Sequence, residues 1–150
     1  MQLFIGGACA GKREQVAARF PGACWISVSE RGPEGWRDGL SREVPLVLTG
    51  WADWLAGVLG QEPDDDRLRR RLVAALDALT RAERDRGAET VLILPEMGRG
   101  IVPLEARDRR LRDLAGWLAQ DAAARADAVW YVRHGLARRL SQVNPAADAR

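Results

Sequence analysis

The stretch Gly6-Gly7-Ala8-Cys9-Ala10-Gly11-Lys12 constrains this chain more than any other part of it. It fits the pattern G-x-x-x-x-G-K. A short apolar run at residues 2–5 precedes it, and a helix-forming segment at residues 12–20 follows. Small residues let the backbone curl so that successive N–H groups point inward at phosphate oxygens. The helix that follows aims its positive end at the same place, and the lysine reaches the outer phosphates. Gly6, Gly7, Ala8, Cys9, Ala10, Gly11, Lys12 and Arg13 are therefore read as a nucleoside-triphosphate site, with Lys12 also catalytic. Composition sharpens the reading: Lys and Arg together number 23, and Lys12 is the only lysine. A compact ammonium and a planar guanidinium are not interchangeable among phosphates. Cys9 is read as a small residue that fits the loop.

One position departs from the pattern. The residue after the lysine is ordinarily Ser or Thr, whose hydroxyl binds Mg²⁺. Here it is Arg13. Mg²⁺ is a candidate metal that lacks its usual ligand. Either another group holds it, or Arg13 replaces part of its charge, or turnover is slow or absent.

A chain of 150 residues suits one compact domain, placed over residues 1–140, with a polar, flexible tail at 141–150. Strands are expected at 2–5, 24–28, 45–49, 90–94 and 128–133, with a short edge strand at 136–140. The run at 90–94 is continuously apolar and is expected to be central. Helices are expected at 12–20 with Val16, Ala17 and Phe20 inward, after Gly50, from Leu68 to about Gly87, and from about Leu104 to Arg125. Residues 29–43 read as a loop with room for one helical turn. Alternation of strands and helices predicts an α/β fold with a mainly parallel sheet covered on both faces. Ligands bind such sheets at the carboxyl ends of the strands. Those ends are the phosphate loop, Thr49-Gly50, the loop from Glu96, and His134.

Composition excludes several classes. A net charge of +2 does not call for a nucleic-acid partner, and the arginine clusters at 67–71 and 107–112 read as solvated helix faces. No run reaches the roughly 18 apolar residues of a membrane span, and no basic region precedes the first apolar stretch as a signal peptide requires. With two cysteines, Cys9 and Cys24, a reducing, cytoplasmic setting is the simplest fit.

Glu96 follows the fourth strand in a glycine-rich loop. A carboxylate there suits a metal's water shell or a general base; the plainer alternative is a helix cap or an ion pair with Arg99. His134, the single histidine, is a candidate acid/base or nucleophile, or else an exposed turn residue. Trp51, Trp54, Trp117 and Trp130 read as core. Trp36 sits in a loop and is the tryptophan expected to touch a ligand.

Taken together, GGACAGK, PEMGRGIVP and ARDRRLRDLAGWLAQDAAARADAVWYVRHG resemble the bifunctional adenosylcobinamide kinase/adenosylcobinamide-phosphate guanylyltransferase family, in a shortened form. The resemblance covers the first twenty residues and Glu89 to about Leu140, and is weak from Ser27 to Asp66. It implies a three-layer, RecA-like P-loop fold. It also implies GTP or ATP as phosphoryl donor, a corrinoid acceptor phosphorylated on its aminopropanol hydroxyl, and GMP transfer through a guanylylated histidine. Carried over by motif, Gly6 to Lys12 bind triphosphate, and Glu96, Gly98, Gly100 and Pro103 form the adjoining loop. Arg112 and Asp113 belong to the helix supporting that loop. The chain departs from the family at Arg13 and at Thr49, which stands where the family has an acidic residue. It also lacks the helix that carries the nucleophilic histidine, although Arg31-Gly32-Pro33-Glu34-Gly35-Trp36 is similar to the loop after it. His134 lies in a different segment. The alternative reading is a non-catalytic nucleotide- or corrinoid-binding member of the same fold. A homo-oligomer is a candidate assembly.

Overall fold

The computed structural model describes residues 1–98 and 100–140. Arg99 and the expected tail at 141–150 lie outside the described residues. The strands are β1 (Gln2–Gly6), β2 (Cys24–Ser27), β3 (Leu46–Thr49), β4 (Thr90–Pro95), β5 (Ala128–Arg133) and β6 (Leu136–Leu140). The helices are α1 (Lys12–Arg19), α2 (Val28–Arg31), α3 (Trp51–Val58), α4 (Asp65–Arg86) and α5 (Ala106–Arg125), with one 3₁₀ turn at Gly35–Asp38.

The six strands form one sheet in the order β2-β3-β4-β1-β5-β6. All pairs are parallel except β5–β6, a hairpin in which Val132 faces Ala137. β4 is central, as its unbroken apolar sequence requires, because both faces of that strand meet helices. The pleat separates two cores. Leu3, Leu92, Leu94 and Val129 pack with α3, α4 and α5 on one face. Phe4, Val91, Ile93 and Val132 pack with Val16 and Phe20 on the other. This is the three-layer α/β arrangement with a mainly parallel sheet that the P-loop reading implies.

Local sequence explains most boundaries. Asp64 caps α4 by accepting from the Arg67 backbone N–H at 3.1 Å, and α4 ends at Gly87 in the left-handed region (φ 63°). Leu68, Leu72, Leu76 and Leu79 are the buried stripe of that helix; truncating one of them to Ala would cost about 2–5 kcal/mol.

Four expectations need correction. Val28 does not end β2 but opens α2, burying its side chain on that single turn. Ala17 is exposed, because α1 spans only eight residues and buries Val16, with Phe20 one turn further on. The last helix starts at Ala106, leaving Leu104 93% exposed. The arginine clusters are not merely solvated. Arg69 grips Asp121 with two hydrogen bonds of 3.1 and 3.0 Å, tying α4 to α5. Arg110 bonds Asp65 Oδ1 and the carbonyls of Leu59 and Glu62 at 2.7–3.0 Å.

Candidate functional site

The phosphate loop is built as its sequence predicts. β1 ends at Gly6 and α1 begins at Lys12. Gly6 must lack a side chain, since a β-carbon there would drive into the Val132 carbonyl oxygen of the neighbouring β5. Gly11 adopts φ 95°, a left-handed conformation that glycine takes without strain. Cys9 is also left-handed (φ 56°) and exposed.

The loop is buttressed by the β5–β6 turn. Gly135 N–H donates to Ala10 O at 2.8 Å, and Gln15 Nε2 donates to Gly135 O at 2.5 Å. This turn carries His134, itself left-handed (φ 53°) and exposed. His134 stands at the expected edge of the sheet, but it is not among the residues lining the adjacent cleft.

Lys12 folds back over the loop. Its Nζ donates to Gly6 O at 2.8 Å and Gly7 O at 2.6 Å. Burial pushes its ammonium below the usual lysine value, opposed electrostatically by the Cys9 sulfur and the Glu14 and Glu96 carboxylates. Beside it opens a cleft of about 450 Å³, within the range of small-molecule sites. The phosphate loop, Lys12 and Arg13 line one part of the cleft; Thr49, Gly50 and Asp53 line another, with Ile93 and Pro95 of β4. The Arg13 guanidinium lies over the Trp25 ring, 4.9 Å from its centroid.

Glu96 is the residue after β4. Its N–H donates to Gly6 O at 2.8 Å, which extends the β1–β4 ladder one rung into the site. Its Oε2 accepts from Tyr131 Oη at 2.7 Å. Pro95 faces the cleft and Glu96 does not line it. Successive side chains of an extended chain point to opposite faces, so the carboxylate stands across the sheet edge from the cleft, within electrostatic reach of Lys12.

Other candidates are placed differently. Gly98 has φ 106°, and its carbonyl accepts from Arg112 Nη2 at 2.6 Å, so Arg112 of α5 does support this loop. Gly100 (φ 112°) and Pro103 continue the loop away from the cleft. Trp36 is a correction. The 3₁₀ turn folds it into the core at 4% exposure, and Arg37 covers its ring at 4.6 Å. Its surface is spent on packing with none left for a ligand.

Sequence reasoning missed two residues. Asp53, in the first turn of α3, brings a carboxylate to the cleft four positions after Thr49; an acidic residue one turn beyond a strand end at the ligand edge was the available signal. Tyr131 lay within a strand read only as apolar. Among the described residues, no group of three or more His, Cys, Asp or Glu side chains is arranged to hold a metal. No described helix is long and apolar enough to cross a membrane.

A glycine-rich strand–loop–helix at the carboxyl edge of a mainly parallel sheet, with its lysine folded onto the loop, defines a P-loop α/β protein. Residues 37–140 match the family described as cobinamide kinase / cobinamide phosphate guanyltransferase, and the chain belongs to it. It is 34% identical over 79 residues to the bifunctional adenosylcobalamin biosynthesis protein CobU of Escherichia coli (strain K12), covering 51% of this chain and 44% of that one. It is 47% identical over 49 residues to the protein of the same name from Salmonella typhimurium (strain LT2), covering 33% and 27%. The chain therefore spans less than half of either relative. The family match begins after the phosphate loop, so the reading of that loop rests on its own geometry.

Proposed function

We propose that this chain binds GTP or ATP at the phosphate loop and transfers the terminal phosphoryl group to the hydroxyl of a cobinamide-type corrinoid, as a cytoplasmic enzyme of cobalamin biosynthesis. One observation carries the reading: Gly6 O is shared between Lys12 Nζ and the Glu96 backbone N–H. This joins a cation suited to transferred phosphate and a carboxylate suited to an acceptor hydroxyl at one point of the sheet edge.

The chemistry follows from that arrangement. Loop N–H groups receive the phosphates, and Lys12 exchanges the carbonyls of Gly6 and Gly7 for phosphate oxygens. Its positive charge offsets the negative charge that develops on the transferred group. The acceptor oxygen attacks the terminal phosphorus, and the bond to the bridging oxygen breaks, releasing the nucleoside diphosphate. The acceptor's proton passes to the Glu96 carboxylate and then to water. With the nucleotide in the cleft and Glu96 across the edge, donor and acceptor approach from opposite sides of the β1–β4 border.

The cleft fits Mg²⁺ only in part. Thr49 and Asp53 offer hard oxygen donors, and Mg²⁺ characteristically takes one or two carboxylates while phosphates and water complete its shell. Such an ion supplies neutralisation of the phosphate oxygens. Arg13 holds the position of the usual hydroxyl and offers no lone pair. His134 is exposed and outside the cleft, so the reading includes no histidine-linked guanylyl transfer.

The experiment that tests the reading is chromatographic detection of GDP or ADP from the triphosphate, with and without adenosylcobinamide. Diphosphate release that requires the corrinoid supports it. The second reading, a binding protein without catalysis, is favoured by Arg13 in the hydroxyl's place, stacked on Trp25. Tight nucleotide binding with no corrinoid-dependent release would establish that reading instead.

A further inference from the structure

The backbone of Glu96 is tied directly to the phosphate loop, through Gly6 O at 2.8 Å. A backbone tether does not orient a flexible side chain. Tyr131 supplies a hydrogen bond that does. It lies on β5 opposite Ile5, on the far side of β1 from Glu96. Its hydroxyl reaches past the end of β1 to donate to Glu96 Oε2 at 2.7 Å. The bond closes above Gly6, whose missing side chain lets the β5 backbone come close. We propose that Tyr131 is a positioning residue for the phosphoryl-transfer step, and that its hydroxyl fixes the orientation in which the Glu96 carboxylate meets the acceptor hydroxyl.

The physical case has three parts. A phenol donating to a carboxylate at 2.7 Å is a charge-assisted bond, among the stronger hydrogen bonds in proteins. Tyr131 is held by strand pairing on a rigid element, so it gives the carboxylate a fixed reference that a loop residue alone lacks. The bond joins β5 to the end of β4 across β1, so it fixes the carboxylate relative to the strand that leads into the phosphate loop. The inference rests on the phosphoryl-transfer reading, because it assigns Tyr131 a role through Glu96.

The test is a double-mutant cycle of Tyr131→Phe and Glu96→Gln, measured on transfer to adenosylcobinamide and on GTP hydrolysis by water, with GTP affinity measured alongside. Tyr131→Phe removes one oxygen and no packing volume. It should lower kcat about tenfold, the scale of one hydrogen bond to a charged group, and leave GTP affinity within about twofold. In the Glu96→Gln background the same change should have no further effect on kcat, since residues acting as one unit are not additive. A kcat for Tyr131→Phe equal to wild type, losses that multiply in the double variant, or a fall in GTP affinity matching the fall in kcat would overturn the proposal. Hydrolysis separates the two failures. Absence of corrinoid transfer refutes the acceptor while the cycle on hydrolysis still decides the coupling. A wild-type protein inert in both reactions overturns both.

Discussion

Lys12 Nζ donates to the carbonyl of Gly6, six residues earlier, at 2.8 Å. The only lysine of the chain is thus held against the last residue of β1, at the point where the proposed function puts a triphosphate. Lys12→Ala should weaken GTP and ATP binding by about ten- to a hundredfold, the loss expected for one charge-assisted contact of about 1.5–3 kcal/mol. Calorimetric titration of both proteins checks this; equal affinities would refute the phosphate-loop assignment.

The same lysine makes binding pH-dependent. Burial lowers its ligand-free pKa from the ordinary 10.5. A phosphate partner favours the charged form and raises it again. Affinity should be flat below the lowered value and fall as pH climbs from it towards the raised value of the complex, with a proton taken up on binding in that window. For the ligand-free fold the sign is opposite: between the lowered value and the unfolded 10.5 fewer protons are bound folded than unfolded, so stability rises with pH there. Titrations in two buffers of different ionisation enthalpy should show proton uptake in the wild type and none in Lys12→Ala.

Arg13 lines the cleft and its guanidinium lies over Trp25; in the proposed reading it stands where a metal-binding hydroxyl is usual. In that reading a permanent cation there offsets phosphate charge without metal. Nucleotide affinity in EDTA should therefore approach that in Mg²⁺ for the wild type. Arg13→Ser should widen the gap, with the larger part of the change in the EDTA value. If chelation weakens both proteins equally, Arg13 is not standing in for metal charge.

The sequence carried the sheet and the phosphate loop because both are local signals. Apolar runs of four to six residues, bounded by Gly, Pro or charge, fall on β1 to β5 within a residue or two. Gly6 and Gly11 announce close backbone approach before any neighbour is known. What sequence could not carry is which neighbours those are. Tyr131 reads as one more apolar strand residue until the order β4-β1-β5 sets it two strands from Glu96. Asp53 reads as solvent-facing until the cleft beside Thr49 exists. Trp36 misled in the opposite sense: a tryptophan among glycines and charges looks like a ligand contact, and long-range packing buried it instead. The arginines at 69 and 110 were misjudged for the same reason, since their partners on other elements are 45 or more positions away.

Whether this phosphate loop serves a corrinoid acceptor is decided by mass spectrometry of the corrinoid. Purified protein is incubated with GTP or ATP and adenosylcobinamide, and the corrinoid is recovered and weighed. Adenosylcobinamide phosphate, carrying one added phosphoryl group, is expected from the wild type. Formation should be greatly reduced in Lys12→Ala and Glu96→Gln, and no GMP should be added to the product. Unmodified corrinoid from a wild-type protein that binds the triphosphate, or product formed equally by Lys12→Ala, would contradict it.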